Sequence, residues 1–157
     1  MRKNLVSIHR QSSDSVNQGK LKLDKNFKPF SVDKGDEIFA NGIFEFNVTK
    51  LSALIRANPK KFPIERIDVK TLANGIPEHL DESAIQAADV SKPIILVEIS
   101  PGHFSVIDGN HRLEKARREG LKRIAVYRVT ATQHSYFLIS VRAYEAYIQY
   151  WNSKIDK

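Results

Sequence analysis

The chain has 157 residues, a net charge of +7, a pI near 9.6 and a hydrophobic fraction of 41%, which suits one core in one domain and a polyanionic partner: a nucleotide, a nucleic acid or an anionic metabolite. It contains no cysteine, which excludes disulfides, thiolate zinc sites, iron–sulfur clusters and cysteine nucleophiles and agrees with a reducing, cytoplasmic setting. No apolar run reaches about 18 residues and the basic start has no apolar stretch behind it, so neither a spanning helix nor a signal peptide, and no membrane partner, is expected.

Residues 1–35 read as a basic leader. Arg2, Lys3, Arg10, Lys20, Lys22, Lys25, Lys28 and Lys34 stand there against Asp14, Asp24 and Asp33, which is five of the seven net positive charges. Leu5 to Ile8 suits a short strand. Residues 11–20 are polar and without periodicity, as in a mobile arm. The compact domain is expected over residues 36–157. Asn41-Gly42 is a turn signal, and Ile43 to Val48 alternates like a strand. Thr49 is placed to cap a helix with Leu51, Leu54 and Ile55 on one face, which should stop before Pro59. Residues 64–69 are a second extended candidate, and Asp81 suits the cap of a short helix with Ala84, Ile85 and Ala88.

The next stretch is β-rich. Residues 93–99 are nearly continuous in apolar side chains, as fully buried strands are. Pro101-Gly102 turns the chain, and residues 103–107 return as the second arm of a hairpin. Asp108-Gly109 breaks that strand. A helix follows from Asn110 to Glu119, with Gly120 suited to the left-handed position after its end. Residues 124–129 form another strand. Residues 132–152 read as one long helix whose Phe137, Val141, Tyr144, Ile148 and Trp151 share a face. That face suits the domain core or a twin subunit, so a homodimer is one assembly it would serve. The elements together predict an α+β (mixed α/β) domain, a small mixed sheet flanked by short helices.

The junction at Asp108-Gly109-Asn110-His111-Arg112 carries the chemistry. The first turn of a helix exposes N–H groups without internal partners, and these with the helix dipole favour an anion. Gly109 lets a phosphate approach the backbone, and Arg112 offers a planar fork to its oxygens. His111 donates hydrogen bonds or moves a proton near neutral pH. Asp108 orients His111, holds a metal ion or accepts N–H bonds from the turn. The alternative is a plain Asp-Gly turn, with Asn110 an ordinary N-cap and His111 and Arg112 surface residues.

Strand, hairpin, Asp108-Gly109-Asn110-His111-Arg112, helix, Gly120 and closing strand, in this order, resemble the ParB/sulfiredoxin superfamily over about residues 90–130. The resemblance extends weakly back to the strand at Ile43. It implies a ParB/sulfiredoxin-like fold with nucleotide phosphates at the turn. Gly109, Asn110, His111 and Arg112 would bind ATP, ADP or CTP with Mg²⁺, and Asp108 would be the metal candidate. Asn110 stands where sulfiredoxins carry their catalytic cysteine, which excludes sulfinic-acid reduction. Gly-Asn-His-Arg replaces the Gly-Glu-Arg-Arg of chromosome-partition relatives, and no helix-turn-helix pattern follows, so DNA partition is not expected. The Asp-Gly-x-His-Arg form is closest to stand-alone and free serine kinase-like members, some called ParB-like nucleases.

Phosphoryl transfer or hydrolysis needs a base and usually a metal ion. Asp108 and His111 are the nearest catalytic candidates. Glu45, a carboxylate in a mostly apolar strand, is the candidate base; alternation also suits it to the solvent face, opposite Phe44, Phe46 and Val48. Lys115, Arg117, Arg118, Lys122 and Arg123 either extend the phosphate site, track a nucleic-acid backbone or form an exposed helix face balanced by Glu114 and Glu119. The five histidines show no metal-binding spacing, and no Gly-x-x-x-x-Gly-Lys-Ser/Thr loop occurs. Three readings follow: a nucleotide-dependent phosphotransferase or hydrolase, a nucleic-acid-binding nuclease-like module, and a non-catalytic interaction domain.

Overall fold

The computed structural model describes residues 5–8, 19–42 and 44–156. Ile43, His9 and residues 11–18 of the expected arm over residues 11–20 lie outside them. The elements run β1 (Leu5–Ser7), β2 (Ile38–Asn41), β3 (Phe44–Asn47), α1 (Val48–Ala57), β4 (Glu65–Asp68), α2 (Val69–Ala73), α3 (Glu82–Ala87), β5 (Ile94–Ser100), β6 (His103–Asp108), α4 (Asn110–Arg118), β7 (Arg123–Val129), α5 (Ala131–His134), a 3₁₀ turn (Ser135–Phe137) and α6 (Val141–Ile155). The fold is the expected mixed α+β arrangement. No helix among the described residues is long and apolar enough to cross a membrane.

The main sheet has the order β1-β6-β5-β7-β4; β5 and β7 are parallel and the other pairs antiparallel. All seven residues of β5 are buried, and the period of two explains how. Ile94 and Leu96 face one core with Leu113 and Ala116 of α4, Leu72 of α2, and Val106, Ile124 and Val126. Ile95, Val97 and Ile99 face the other core with Phe44 and Phe46 of β3, Leu51 and Ile55 of α1, and Tyr144, Tyr147 and Trp151 of α6. Helices thus cover both faces, and the continuous apolar run of β5 is the signature of that central position.

Several boundaries differ from the expectation. Asn47, not Thr49, caps α1: its side chain accepts from the Lys50 N–H at 3.1 Å. Thr49 instead accepts from the Glu37 N–H at 2.8 Å. Leu51 and Ile55 are buried, whereas Leu54 is exposed. The second extended segment stops at Asp68, and Val69 opens a short helix that the pattern did not announce. The long C-terminal helix is broken. Leu138 bridges to Phe46 and the Ile139 N–H donates to the Glu45 carbonyl at 3.0 Å, so these residues run extended along β3. Ser140 then caps α6 by accepting from the Ala143 N–H at 3.0 Å. Tyr144, Ile148 and Trp151 still pack on the core, but Val141 is 47% exposed. The end of α4 follows its glycine: Gly120 is left-handed at φ +72°, its N–H donates to Arg117 O and the Leu121 N–H to Ala116 O, a Schellman closure.

Parts of the basic leader belong to the same packed body. β1 forms the edge of the main sheet against β6. Farther along, Phe27 stacks on Tyr144 at 4.0 Å, the Asp24 N–H donates to the Tyr144 hydroxyl, and Asn152 exchanges two hydrogen bonds with the backbone of Leu21.

Beneath α6 lies a buried polar knot. The His134 ring is fully buried and its Nε2 donates to the Glu98 carbonyl at 2.6 Å, an assignment fixed because a carbonyl only accepts. The Tyr147 hydroxyl donates to the carbonyls of Glu98 and Ile99 at 3.0 Å each. Burial pushes the His134 imidazole down from 6.5 to about 4. The unfolded chain therefore takes up a proton between pH 6.5 and 4 that the folded chain refuses. This contribution is fully present above pH 6.5 and is lost as pH falls toward 4, by about 3 kcal/mol over the window. Urea unfolding across that range should show the corresponding slope in the wild type and a flatter one in His134→Gln. Equal slopes would mean the ring is protonated in the fold.

Candidate functional site

A cavity of about 760 Å³ opens between α1, the segment joining α3 to β5, and the start of α4. Ser52, Ile55 and Arg56 line it from α1; Ala84, Ala87, Ala88, Asp89, Lys92 and Pro93 from the α3–β5 side; Asp108, Gly109, His111 and Arg112 from the turn. Ile95 and Tyr127 form its floor on the sheet. The volume falls in the range of small-molecule and cofactor sites, with apolar walls and a few convergent polar groups.

The turn is built by β6 running directly into α4. Gly109 sits at the N-cap with φ +113° and ψ +19°, the left-handed region, and no side chain caps the helix. A Cβ here would lie 2.8 Å from the Ile94 Cβ, nearer still to its Cγ2, and 3.1 Å from Arg112 Nη2. Glycine is thus required twice, by conformation and by close approach. It also leaves the first-turn N–H groups of Asn110, His111 and Arg112 without a side-chain acceptor at a positive helix end. Arg112 is held toward this opening from two sides: Nη1 donates to the Pro93 carbonyl at 2.9 Å and Nη2 pairs with Asp108 at 3.2 Å. Its side chain is 15% exposed. Asp108 and Arg112 are therefore already a charge pair, and an incoming phosphate competes for the same guanidinium.

The other predicted residues divide. His111 is half-buried and lines the cavity. Asn110 is not the N-cap. Its Nδ2 lies 3.5 Å from the Val106 carbonyl, and its Oδ1 is a buried acceptor with no hydrogen-bond partner among the described residues. Glu45 is half-buried on β3 with Phe44 and Phe46 buried on either side, and it does not line the cavity. Strand alternation sets that side chain opposite the two phenylalanines. Among the described residues no three histidines or carboxylates gather around a metal-sized point.

Glu37 was missed. Its carboxyl is raised above the usual carboxylate range by partial desolvation and by the nearby Asp108 charge, with Arg112 opposing. It therefore stands in the electrostatic field of the turn. The start of α1 fixes it there: the Glu37 N–H donates to Thr49 Oγ1 at 2.8 Å, and its carbonyl accepts from the Val48 N–H at 2.9 Å. Neighbouring Asp36 locks the same corner. Its Oδ2 accepts from Asn47 Nδ2 at 2.9 Å, the Asp33 N–H at 2.9 Å and Lys50 Nζ at 3.1 Å, which hold its carboxyl down at about 2. Asp36-Glu37 has no motif spacing to Asp108, so only the fold reveals the pairing.

The basic cluster after the turn is largely committed within the chain. Arg117 and Arg118 pair with Glu114, Arg118 also with Glu82, and Arg123 with Asp68. Lys115 donates to the carbonyls of Gln86 and Ala88. These contacts favour the balanced helix face over a free phosphate track.

No family model matches the chain, and no solved structure matches it. It is similar to the ATP-dependent L-serine kinase SbnI of Staphylococcus aureus (strain NCTC 8325 / PS 47), at 29% identity over 82 residues. The matched stretch is 52% of this chain and 32% of the kinase. This chain thus spans about a third of that relative's length. The similarity is compatible with a ParB-like family.

Gly109→Ala should destabilise the fold by about 1–3 kcal/mol, because the left-handed backbone and the Ile94 contact both resist a methyl. Thermal unfolding reads this directly. A variant as stable as the wild type would show that the turn relaxes without cost.

Proposed function

We propose that the protein is a ParB/sulfiredoxin-like nucleotide-binding domain that transfers the terminal phosphoryl group of ATP to a hydroxyl-bearing small molecule. The observation that carries this reading is the convergence at one wall of the cavity of an obligatory glycine, an uncapped helix start and a held arginine. The phosphates would lie against the N–H groups of Asn110 to Arg112. Arg112 would trade its Asp108 partner for phosphate oxygens, and His111 would donate a further hydrogen bond. The base would rest against Ala84, Ala87, Ala88 and Pro93, whose small apolar side chains leave room for a planar ring. Similarity to an ATP-dependent L-serine kinase supports ATP and a small hydroxylated acceptor.

Asp108, which lines the cavity at the turn, suits Mg²⁺, which is commonly held by one or two carboxylates together with substrate phosphates. Asp108, once released from Arg112, is the residue that would hold it, and the ion would supply charge neutralisation on the phosphates. Glu37, exposed beside the cavity and within the field of Asp108, joins Glu45 as a candidate for the general base. The acceptor oxygen forms a bond to the γ-phosphorus, the bond from that phosphorus to the ADP oxygen breaks, and the hydroxyl proton passes to the Glu37 carboxylate. The raised Glu37 carboxyl makes it a stronger proton acceptor than an ordinary carboxylate.

Calorimetric titration with ATP, ADP and CTP, each with and without Mg²⁺, tests the binding. Arg112→Ala should weaken the preferred nucleotide by about tenfold to a hundredfold, as loss of one charge-assisted contact predicts, with unfolding of the unliganded variant measured alongside because its Pro93 and Asp108 contacts go too. A wild type that binds none of these nucleotides, or an Arg112→Ala variant that binds like the wild type, would overturn the reading.

Glu37→Gln separates chemistry from binding. It should keep nucleotide affinity and lose about a hundredfold or more in phosphoryl transfer, the usual contribution of a general base. The wild-type rate should fall as acid protonates Glu37, in a step above the ordinary 4.5 of a glutamate. Persistence of that acid limb in Glu37→Gln would assign it to another group.

A further inference from the structure

The wall opposite the phosphate turn is weakly anchored chain. Helix α3 is six residues long and buries one side chain, Ile85. Beyond it, residues 88–93 form no regular element, and their hydrogen bonds are mainly local: the Ala88 N–H to Ile85 O, the Lys92 N–H to Asp89 O, and Ser91 to the Asp89 carboxylate. Yet this stretch presents Ala84, Ala87, Ala88, Asp89, Lys92 and Pro93 to the cavity. A wall made this way needs an external brace.

Three cations of α4 supply it, at spacings of three residues and hence along one helix face. Arg118 Nη1 reaches Glu82 Oε1 at the start of α3, and Arg112 Nη1 reaches the Pro93 carbonyl at the entry to β5. Between them Lys115 Nζ donates to the carbonyls of Gln86 and Ala88, at 2.8 Å each. Arg118 grips an exposed carboxylate that also has Gln86 as partner, and Arg112 grips the far end. Lys115 alone of the three holds the middle of the wall, where α3 ends and the irregular stretch begins at Ala88.

We propose that Lys115 is a positioning residue. It ties the helix that begins at the phosphate turn to the wall facing the base, and so sets the width of the slot between them. The proposal rests on the nucleotide reading above. It assigns Lys115 no contact with phosphate: its ammonium is spent on two backbone carbonyls whose own helix end leaves them unpaired. Wall and turn thereby move as one body, and a ligand that uses both walls feels Lys115 while a ligand that uses only the turn does not.

The test compares ATP with inorganic tripolyphosphate, each with Mg²⁺, on the wild type, Lys115→Met and Lys115→Arg. Lys115→Met should bind ATP about tenfold more weakly, because the wall is no longer held at the spacing the ligand needs, and tripolyphosphate as well as the wild type does. Lys115→Arg should recover part of the ATP affinity. Equal losses for both ligands would mean that Lys115 grips phosphate, and no loss for either would mean that it is an ordinary surface residue; both overturn the proposal. Hydrogen exchange on the unliganded proteins gives a second readout that needs no nucleotide. Amides of residues 86–92 should exchange faster in Lys115→Met while those of α4 and β5 keep their protection. Unchanged protection of 86–92 overturns the brace. A wild type that binds neither ligand overturns the nucleotide reading and the positioning role with it, whereas exchange then still decides whether the brace exists. Should Lys115→Met fail to fold, Lys115→Gln serves the same comparison.

Discussion

Strand β6 must become helix α4 directly above Ile94, and the space allows no side chain at the junction. Much of the site follows from that constraint. Gly109 takes the left-handed conformation, the Ile94 methyl fills the place of a Cβ, and the helix begins without a capping side chain. Pro93, the residue before Ile94, holds Arg112 by its carbonyl. The first residues of β5 therefore support the glycine from below and aim the arginine one turn along. An anion-binding helix end is normally generic; here packing against the best-buried strand of the sheet fixes where its donors point.

The remaining parts of the site come from opposite sides of that strand. The odd-numbered residues of β5 pack against α1, whose start is knotted to Asp36 and Glu37 through Asn47, Thr49 and Lys50. The even-numbered residues pack against α4. Two carboxylates distant in sequence, Glu37 beside the start of α1 and Asp108 at the end of β6, are thereby brought into one field. The chemistry that the cavity supports depends on this two-sided core, in which the large aromatics of α6 fill the layer behind α1 and β3.

Elements with strong local signals were legible in the residues alone. The continuous apolar run of β5, the Pro101-Gly102 turn, the Asp108-Gly109 break and the Gly120 closure lie where the pattern put them, since each depends on near neighbours. Elements decided by tertiary contacts were not. Residues 138–140 carry helical periodicity, but pairing with β3 draws them into an extended run and splits the C-terminal helix. Asn47 captured the cap expected of Thr49 because Thr49 was engaged by Glu37. Glu45 stands out as a carboxylate among phenylalanines, whereas Glu37, in an unremarkable acidic pair, feels the Asp108 charge only once the chain is folded. The basic residues after the turn suit a polyanion field and a balanced helix face equally in sequence, and their partners Glu82, Asp68 and the α3 carbonyls appear only in three dimensions.

The central claim is that phosphate binds at the start of α4. A crystal structure with a non-hydrolysable ATP analogue and Mg²⁺ tests it most directly. Phosphate oxygens should lie within hydrogen-bond reach of the N–H groups of Asn110 to Arg112, with the Arg112 guanidinium turned from Asp108 to the phosphates. An ordered nucleotide bound elsewhere, with this turn bare and the Arg112–Asp108 pair intact, would contradict it.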